Sequence, residues 1–159
     1  MKIVSDSSPI CYLRLIDQIH LLPALFGEIV VPEAVARELS DEGSPQIVSE
    51  WIEKPPSWLK IQKAALYFDP LLGSLHQGER QVISLASEIN ADLLLIDEKA
   101  ARRIAKERGF KVTGLIGVIE EAAARGMVDV TVAIQRLSET SFRISPQLLK
   151  SLVDKHRLH

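Results

Sequence analysis

Cysteine is almost absent. One residue of this type, Cys11, occurs in 159 positions, which excludes a disulfide framework and a cysteine-based zinc site. Cys11 follows Ile10 and precedes Leu13, so a buried core thiol is expected rather than a nucleophile. Aromatic residues are scarce at 5%. No apolar run approaches the roughly 20 residues that span a bilayer. Positive charge is not in excess either: 19 Lys and Arg stand against 21 Asp and Glu, a net charge of −2. The global basic field of many nucleic-acid-binding proteins is missing, so any such contact must come from a local patch. The start, Met1-Lys2-Ile3-Val4-Ser5-Asp6, offers no apolar signal core before the first acid. A cytoplasmic protein without membrane contact is expected.

What remains is a globular composition, 47% hydrophobic and 25% charged. The length suits a single domain over 1–159 with a core large enough to fold alone. Lys2 to Ser5 reads as a short strand that stops at Asp6. Ser7, Ser8 and Pro9 open a helix. Apolar residues at helical spacing (Leu13, Ile16, Ile19, Leu22) carry that helix toward Leu22, and a short helical piece ends at Gly27. Glu28 to Val31 is a second strand. Pro32 begins a helix running to about Glu42, and another covers Pro45 to Glu53. Lys54 to Leu75, with Pro55, Pro56, Pro70 and Gly73, reads as a long surface excursion holding a minor strand near Trp58 to Ile61. A helix starts at Gly78. Leu93 to Ile96 is an aliphatic run suited to a strand buried on both faces. A helix to about Arg108, a strand over Phe110 to Val112, two further helices and a C-terminal helix from Ser145-Pro146 complete the chain. Strands alternating with helices predict an α/β fold, a three-layer α/β/α arrangement around a central parallel sheet of four to five strands.

The acids fall in a pattern. Two apolar strands each end in an aspartate, Asp6 and Asp97. In open parallel sheets, ligands bind beyond the carboxyl ends of strands. Either aspartate alone also fits a helix cap. Glu38 and Glu79 lie on the flank of the apolar stripe of their helices rather than on the solvated face. Singly, each also fits a boundary residue whose head reaches water. Two carboxylates about 4 Å apart repel by roughly 4 kcal/mol at an effective dielectric of about 20, so a converging set calls for a cation. Hard oxygen donors suit Mg²⁺ or Mn²⁺. Such an ion activates a water and orients a phosphodiester.

These segments together resemble the PIN-domain family, and among its members the short toxins of VapBC toxin–antitoxin pairs. The resemblance is carried by Val4-Ser5-Asp6-Ser7-Ser8, by Ile29-Val30-Val31-Pro32 through Arg37-Glu38-Leu39, by Gly78-Glu79 leading to Ile83 and Ala86, by Leu95-Ile96-Asp97-Glu98, and by Val112-Thr113-Gly114 with Gly117. It implies a Mg²⁺- or Mn²⁺-dependent endoribonuclease, the toxin of a type II pair. Asp6, Glu38, Glu79 and Asp97 would be its catalytic, metal-holding acids. Ser8 would support the first aspartate, and Thr113 is a further supporting candidate. Glu79 departs from the Asp more common in toxin-type members. The implied partners are an RNA substrate, a protein antitoxin and a second copy of the chain in a homodimer.

Other features have competing readings. Lys99, Arg102, Arg103 and Lys106 share one helix face next to Asp97 and could hold RNA phosphates, or simply face water. Thr113 fits a ligand contact or a helix N-cap. Glu98 suits a helix first turn. His20, His76, His156 and His159 show no ligand spacing. Trp51, Trp58, Tyr67 and Phe68 fit a satellite core or a docking face. Two alternatives to the nuclease stand. One is a non-catalytic PIN-like binding module. The other is an aspartate-based phosphotransfer domain, whose templates leave Glu38 and Glu79 unexplained and want a second Asp where Ser8 stands.

Overall fold

A computed structural model describes residues 1–65 and 70–157. Tyr67, Phe68 and His159 lie outside the described residues. Five strands form one parallel sheet: β1 (Ile3–Ser5), β2 (Ile29–Pro32), β3 (Leu59–Gln62), β4 (Leu93–Leu95) and β5 (Val112–Thr113), in the order β3-β2-β1-β4-β5. The central strands are the aliphatic runs. Ile3, Val4, Leu94, Leu95 and Ile96 are all fully buried, as a sheet covered on both faces requires. At the edge, β3 buries Leu59 and exposes Lys60, Ile61 and Gln62. A charged side chain on an edge strand discourages pairing with another sheet.

Nine α-helices flank the sheet among the described residues: α1 (Ser7–Leu15), α2 (Leu21–Phe26), α3 (Glu33–Ser40), α4 (Gln46–Glu53), α5 (Gln77–Ile89), α6 (Lys99–Glu107), α7 (Leu115–Ala124), α8 (Val130–Ser138) and α9 (Pro146–Arg157). The result is the expected three-layer α/β arrangement. The clearest difference from expectation is in the first helix, which stops at Leu15 instead of running on to Leu22. Asp17 adopts φ 60°. The Gln18 N–H donates to Leu13 O at 2.8 Å and the Asp17 N–H to Arg14 O at 3.2 Å. This pair of bonds is a Schellman motif, with Asp supplying the left-handed residue more often given by Gly. Ile16, Leu21 and Leu22 are still buried, so the apolar spacing marks two elements converging on one core. Trp51 and Trp58 pack at 6.0 Å between ring centroids against the core, as a satellite cluster. Cys11 is only half-buried, and burial pushes its thiol pKa up, which disfavours the reactive thiolate.

Candidate metal centre

The strand order reverses direction between β1 and β4, and the residues just past those two strands are the sequence-predicted aspartates. Such a switch point leaves a crevice at the strand ends. Asp6 directly follows β1, its N–H donating to Leu95 O at 2.9 Å. Its Oδ1 accepts the Ser7 N–H at 2.8 Å and so starts α1. Asp97 lies two residues past β4. Its Oδ1 accepts the Leu115 N–H at 2.8 Å, capping α7 from a different strand. The approach is close: a Cβ on Gly114 would lie 2.5 Å from Asp97 Oδ1 and 2.7 Å from Arg102 Nη1. Both aspartates therefore do cap helices, and both also line one open cleft at the sheet's rim.

The two glutamates approach from helices, Glu79 into this cleft and Glu38 into its neighbour. Glu79, in the first turn of α5, is 3% exposed and lines the cleft. Glu38, near the end of α3, accepts the Ser7 hydroxyl at 2.8 Å through Oε2. Its carboxylate lies over Gly78, where any Cβ would collide with it. Glu38 lines an adjoining cleft, and Ser7, Tyr12 and Ser141 are the shared wall. Between the two glutamates stands His76, the N-cap residue of α5. Its Nδ1 is 3.5 Å from Glu38 Oε1 and its Nε2 is 3.5 Å from Glu79 Oε1.

The electrostatics follow from burial and crowding. Asp6 is pushed up to about 7, first by burial and then by the charges of Glu38 and Glu79, against the pull of the Ser7 N–H and His76. Glu79 is also raised, chiefly by burial, with Glu98 and Glu38 adding and His76 opposing. Asp97 is raised by burial, while the Leu115 N–H, the Ser8 hydroxyl and Arg102 favour its charged form. Glu79 Oε2 and Asp97 Oδ2 are buried and accept no hydrogen bond. Such orphaned acceptors are rare and costly in folded proteins. Asp6, His76 and Glu79 each offer a donor atom within 4.8 Å of the others. Ligands of a small octahedral cation are roughly 3–4 Å apart, so these side chains can close on a divalent ion with a small movement.

Several expected residues sit elsewhere or act differently. Ser8 stands beside Asp97, and Ser7 is the residue that serves Asp6 and Glu38. Thr113 does not line the cleft; its hydroxyl is pressed against Gly117, and the cap of α7 that it might have supplied comes from Asp97. Lys99, Arg102, Arg103 and Lys106 do share a face of α6, outside the cleft. Arg102 Nη1 donates to Ile96 O at 3.2 Å, which commits it to the base of the site. Glu98 caps α6 by accepting the Ala101 N–H. His76, which shows no ligand spacing among the histidines, stands three residues before Glu79, and that spacing is the signal that places both at the start of α5. The stretch Ser141–Arg143 also lines the cleft. It is fastened by the Tyr12 hydroxyl, 2.8 Å from Ser141 Oγ, and by Phe142 edge-on to the Tyr12 ring. Nothing in the local sequence marks that contact.

Comparison with known proteins accords with this geometry. A search of curated proteins finds no match. A solved structure of a PilT N-terminus domain protein, SSO1118 from the hyperthermophilic archaeon Sulfolobus solfataricus P2, superposes with a TM-score of 0.56 at 20% identity. The match covers 77% of this chain and 93% of that one; at this identity it establishes the fold alone. The family model DUF3368, described as a PIN domain, matches residues 2–157. With nearly its whole length matched, the chain belongs to the PIN-domain family.

Proposed function

We propose that this protein is a divalent-metal-dependent endoribonuclease, with Asp6, Glu38, Glu79 and Asp97 as its acidic centre. The observation that carries the reading is the buried, mutually repelling pair Asp6 and Glu79 at the sheet's switch point, with Glu79 Oε2 left without a partner. PIN domains are in general metal-dependent nucleases, which supports the same reading. Mg²⁺ or Mn²⁺ bound there would supply an activated water and neutralise charge on the phosphate.

The chain's own residues prepare the site. Asp6 and Asp97 are each oriented through one oxygen by a helix N–H before anything binds, which limits reorganisation when substrate arrives. Ser7 holds Glu38, and Gly78 leaves the room for it. Arg143 stands at the mouth of the cleft, where a guanidinium suits a neighbouring phosphate of the RNA. Lys99 and Arg103 extend a basic surface along α6. Replacing both with Ala is expected to lower the salt slope of RNA binding by about two; an unchanged slope places the RNA elsewhere.

The same reading makes the protein the cytoplasmic toxin of a type II pair, partnered by an antitoxin and by a second copy of itself. It draws on the order and spacing of the sequence segments. No helix among the described residues is long and apolar enough to cross a membrane. The test is RNA cleavage by the purified chain with Mn²⁺ or Mg²⁺, alongside growth on expression. Wild type should cleave and arrest growth. Asp97→Asn should lose cleavage by on the order of a thousandfold while keeping its fold. Full cleavage by that variant refutes the assignment. Absence of both metal binding and cleavage in the wild type leaves a PIN-like binding module.

A further inference from the structure

We propose that His76 is a nitrogen ligand of the cation held by Asp6 and Glu79, and that it shifts the centre's preference from Mg²⁺ toward transition ions. This deepens the metal-centre reading above and rests on it. Three observations converge on the imidazole. First, one ring nitrogen of His76 and one oxygen each of Asp6 and Glu79 lie within 4.8 Å of one another. Second, the ring stands between two glutamates yet is 3.5 Å from each, beyond the 2.7–3.2 Å or so of a hydrogen bond. Both distances suit an ion pair, and at neither does a hydrogen bond to a glutamate carboxylate fix the ring, so its nitrogens remain able to turn to an ion. Third, Glu79 is 3% exposed and its Oε2 has no partner, so the cluster contains a buried acceptor that no protein group satisfies.

The backbone fixes this placement. His76 is the extended N-cap residue of α5, at φ −74° and ψ 169°. Its N–H donates to Glu79 Oε1 at 3.3 Å. The start of the helix thus ties His76 and Glu79 into one unit with both side chains on the cleft. About half of the ring is exposed, which leaves an ion a path from solvent.

The chemistry separates the ions. Mg²⁺ wants oxygen ligands and keeps several waters, and an imidazole gives it little. Affinity for a site containing nitrogen rises from Mn²⁺ to Co²⁺ along the Irving–Williams order. A centre of two carboxylates and an imidazole therefore discriminates against Mg²⁺ more strongly than an all-carboxylate centre.

Calorimetric titration of the full chain with Mg²⁺, Mn²⁺ and Co²⁺, together with pulsed EPR of bound Mn²⁺, tests this. In the wild type, EPR should show ¹⁴N coupling to Mn²⁺. His76→Ala should abolish that coupling and weaken Co²⁺ binding by about tenfold or more, with Mn²⁺ affected less and Mg²⁺ within about twofold. Wild-type Mn²⁺ without ¹⁴N coupling overturns the role of His76 and leaves the carboxylate centre intact. So does a His76→Ala variant that binds all three ions equally well or more tightly, which would make the ring a competing cation. If the wild type binds none of the three ions, the metal-centre reading itself fails. The EPR measurement on wild type stands even if the variant proves unstable.

Discussion

The two sides of the cleft treat a buried carboxylate in opposite ways. On the Asp97 side the protein supplies much of what the charge needs: the Leu115 N–H, the Ser8 hydroxyl and the Arg102 guanidinium all favour the ionised form. On the Asp6 side the charged neighbours include further acids. Glu38 and Glu79 raise Asp6, and only the Ser7 N–H and His76 oppose them. One side offsets much of the charge it buries, leaving Asp97 Oδ2 unpartnered. The other is arranged around something that the polypeptide does not provide. A single site can thus combine a preset anchor with a charge deficit that selects its ligand.

The largest test of this contrast is the pH dependence of stability without metal. Asp6 has a folded-state pKa of about 7 against an ordinary 3.8. A raised acid stabilises the fold fully below its unfolded value, and that contribution is lost as pH rises through the folded value. Stability in EDTA should therefore fall between about pH 4 and pH 7, by on the order of a few kcal/mol. Thermal melts across that range check it. Asp6→Asn should remove most of the slope and Asp97→Asn much less. If the two variants flatten the profile equally, the contrast between the sides is lost.

Two glycines sharpen it next. Gly114→Ala drives a methyl into Asp97 Oδ1 and Arg102 Nη1, groups fixed by their own hydrogen bonds, so melting should reveal a loss of about 1–3 kcal/mol. Gly78→Ala meets the end of the Glu38 side chain, which can swing away. Losing the Ser7 hydroxyl's hold on Glu38 should cost that variant about 1 kcal/mol in melting, less than Gly114→Ala, while it binds Mn²⁺ roughly tenfold more weakly in calorimetry. The reverse pattern would mean that Glu38 is structural and Asp97 adaptable. The smallest effect is expected from Ser7→Ala, which deletes the hydroxyl donated to Glu38. A cost of about 1 kcal/mol in denaturant titration is anticipated, and no cost would show that Glu38 is held by other means.

The sheet and the helices were legible because their signals are local. Aliphatic runs ending in Asp6 and Asp97, Pro32 before α3, and the stripe of α5 each lie within a few residues. Asp6, Glu79 and Asp97 share one cleft because two strand ends and a helix start meet at one rim in this topology, while Glu38 lines the neighbouring cleft from the end of α3. What escaped depended on distant partners. The break after Leu15 needs an aspartate in a left-handed conformation, which sequence permits without marking it. Thr113 adjoins Gly114 as a cap would, but the capping oxygen comes from Asp97, 18 positions before the Leu115 N–H that it accepts. His76 has Glu79 near it in sequence, but its other neighbours, Asp6 and Glu38, come from distant elements. The Tyr12 contact with Ser141 joins residues 129 apart.

That last contact has a practical corollary for anyone shortening the gene. A product ending before residue 141 would retain every strand and all four acids, and by inspection of its sequence would pass as intact. It would nevertheless lack one wall of the cleft and the arginine at its entrance, and the face of Tyr12 would be stripped bare. Boundaries for expression should therefore be drawn beyond the segment that folds back onto α1, however dispensable the tail looks on paper.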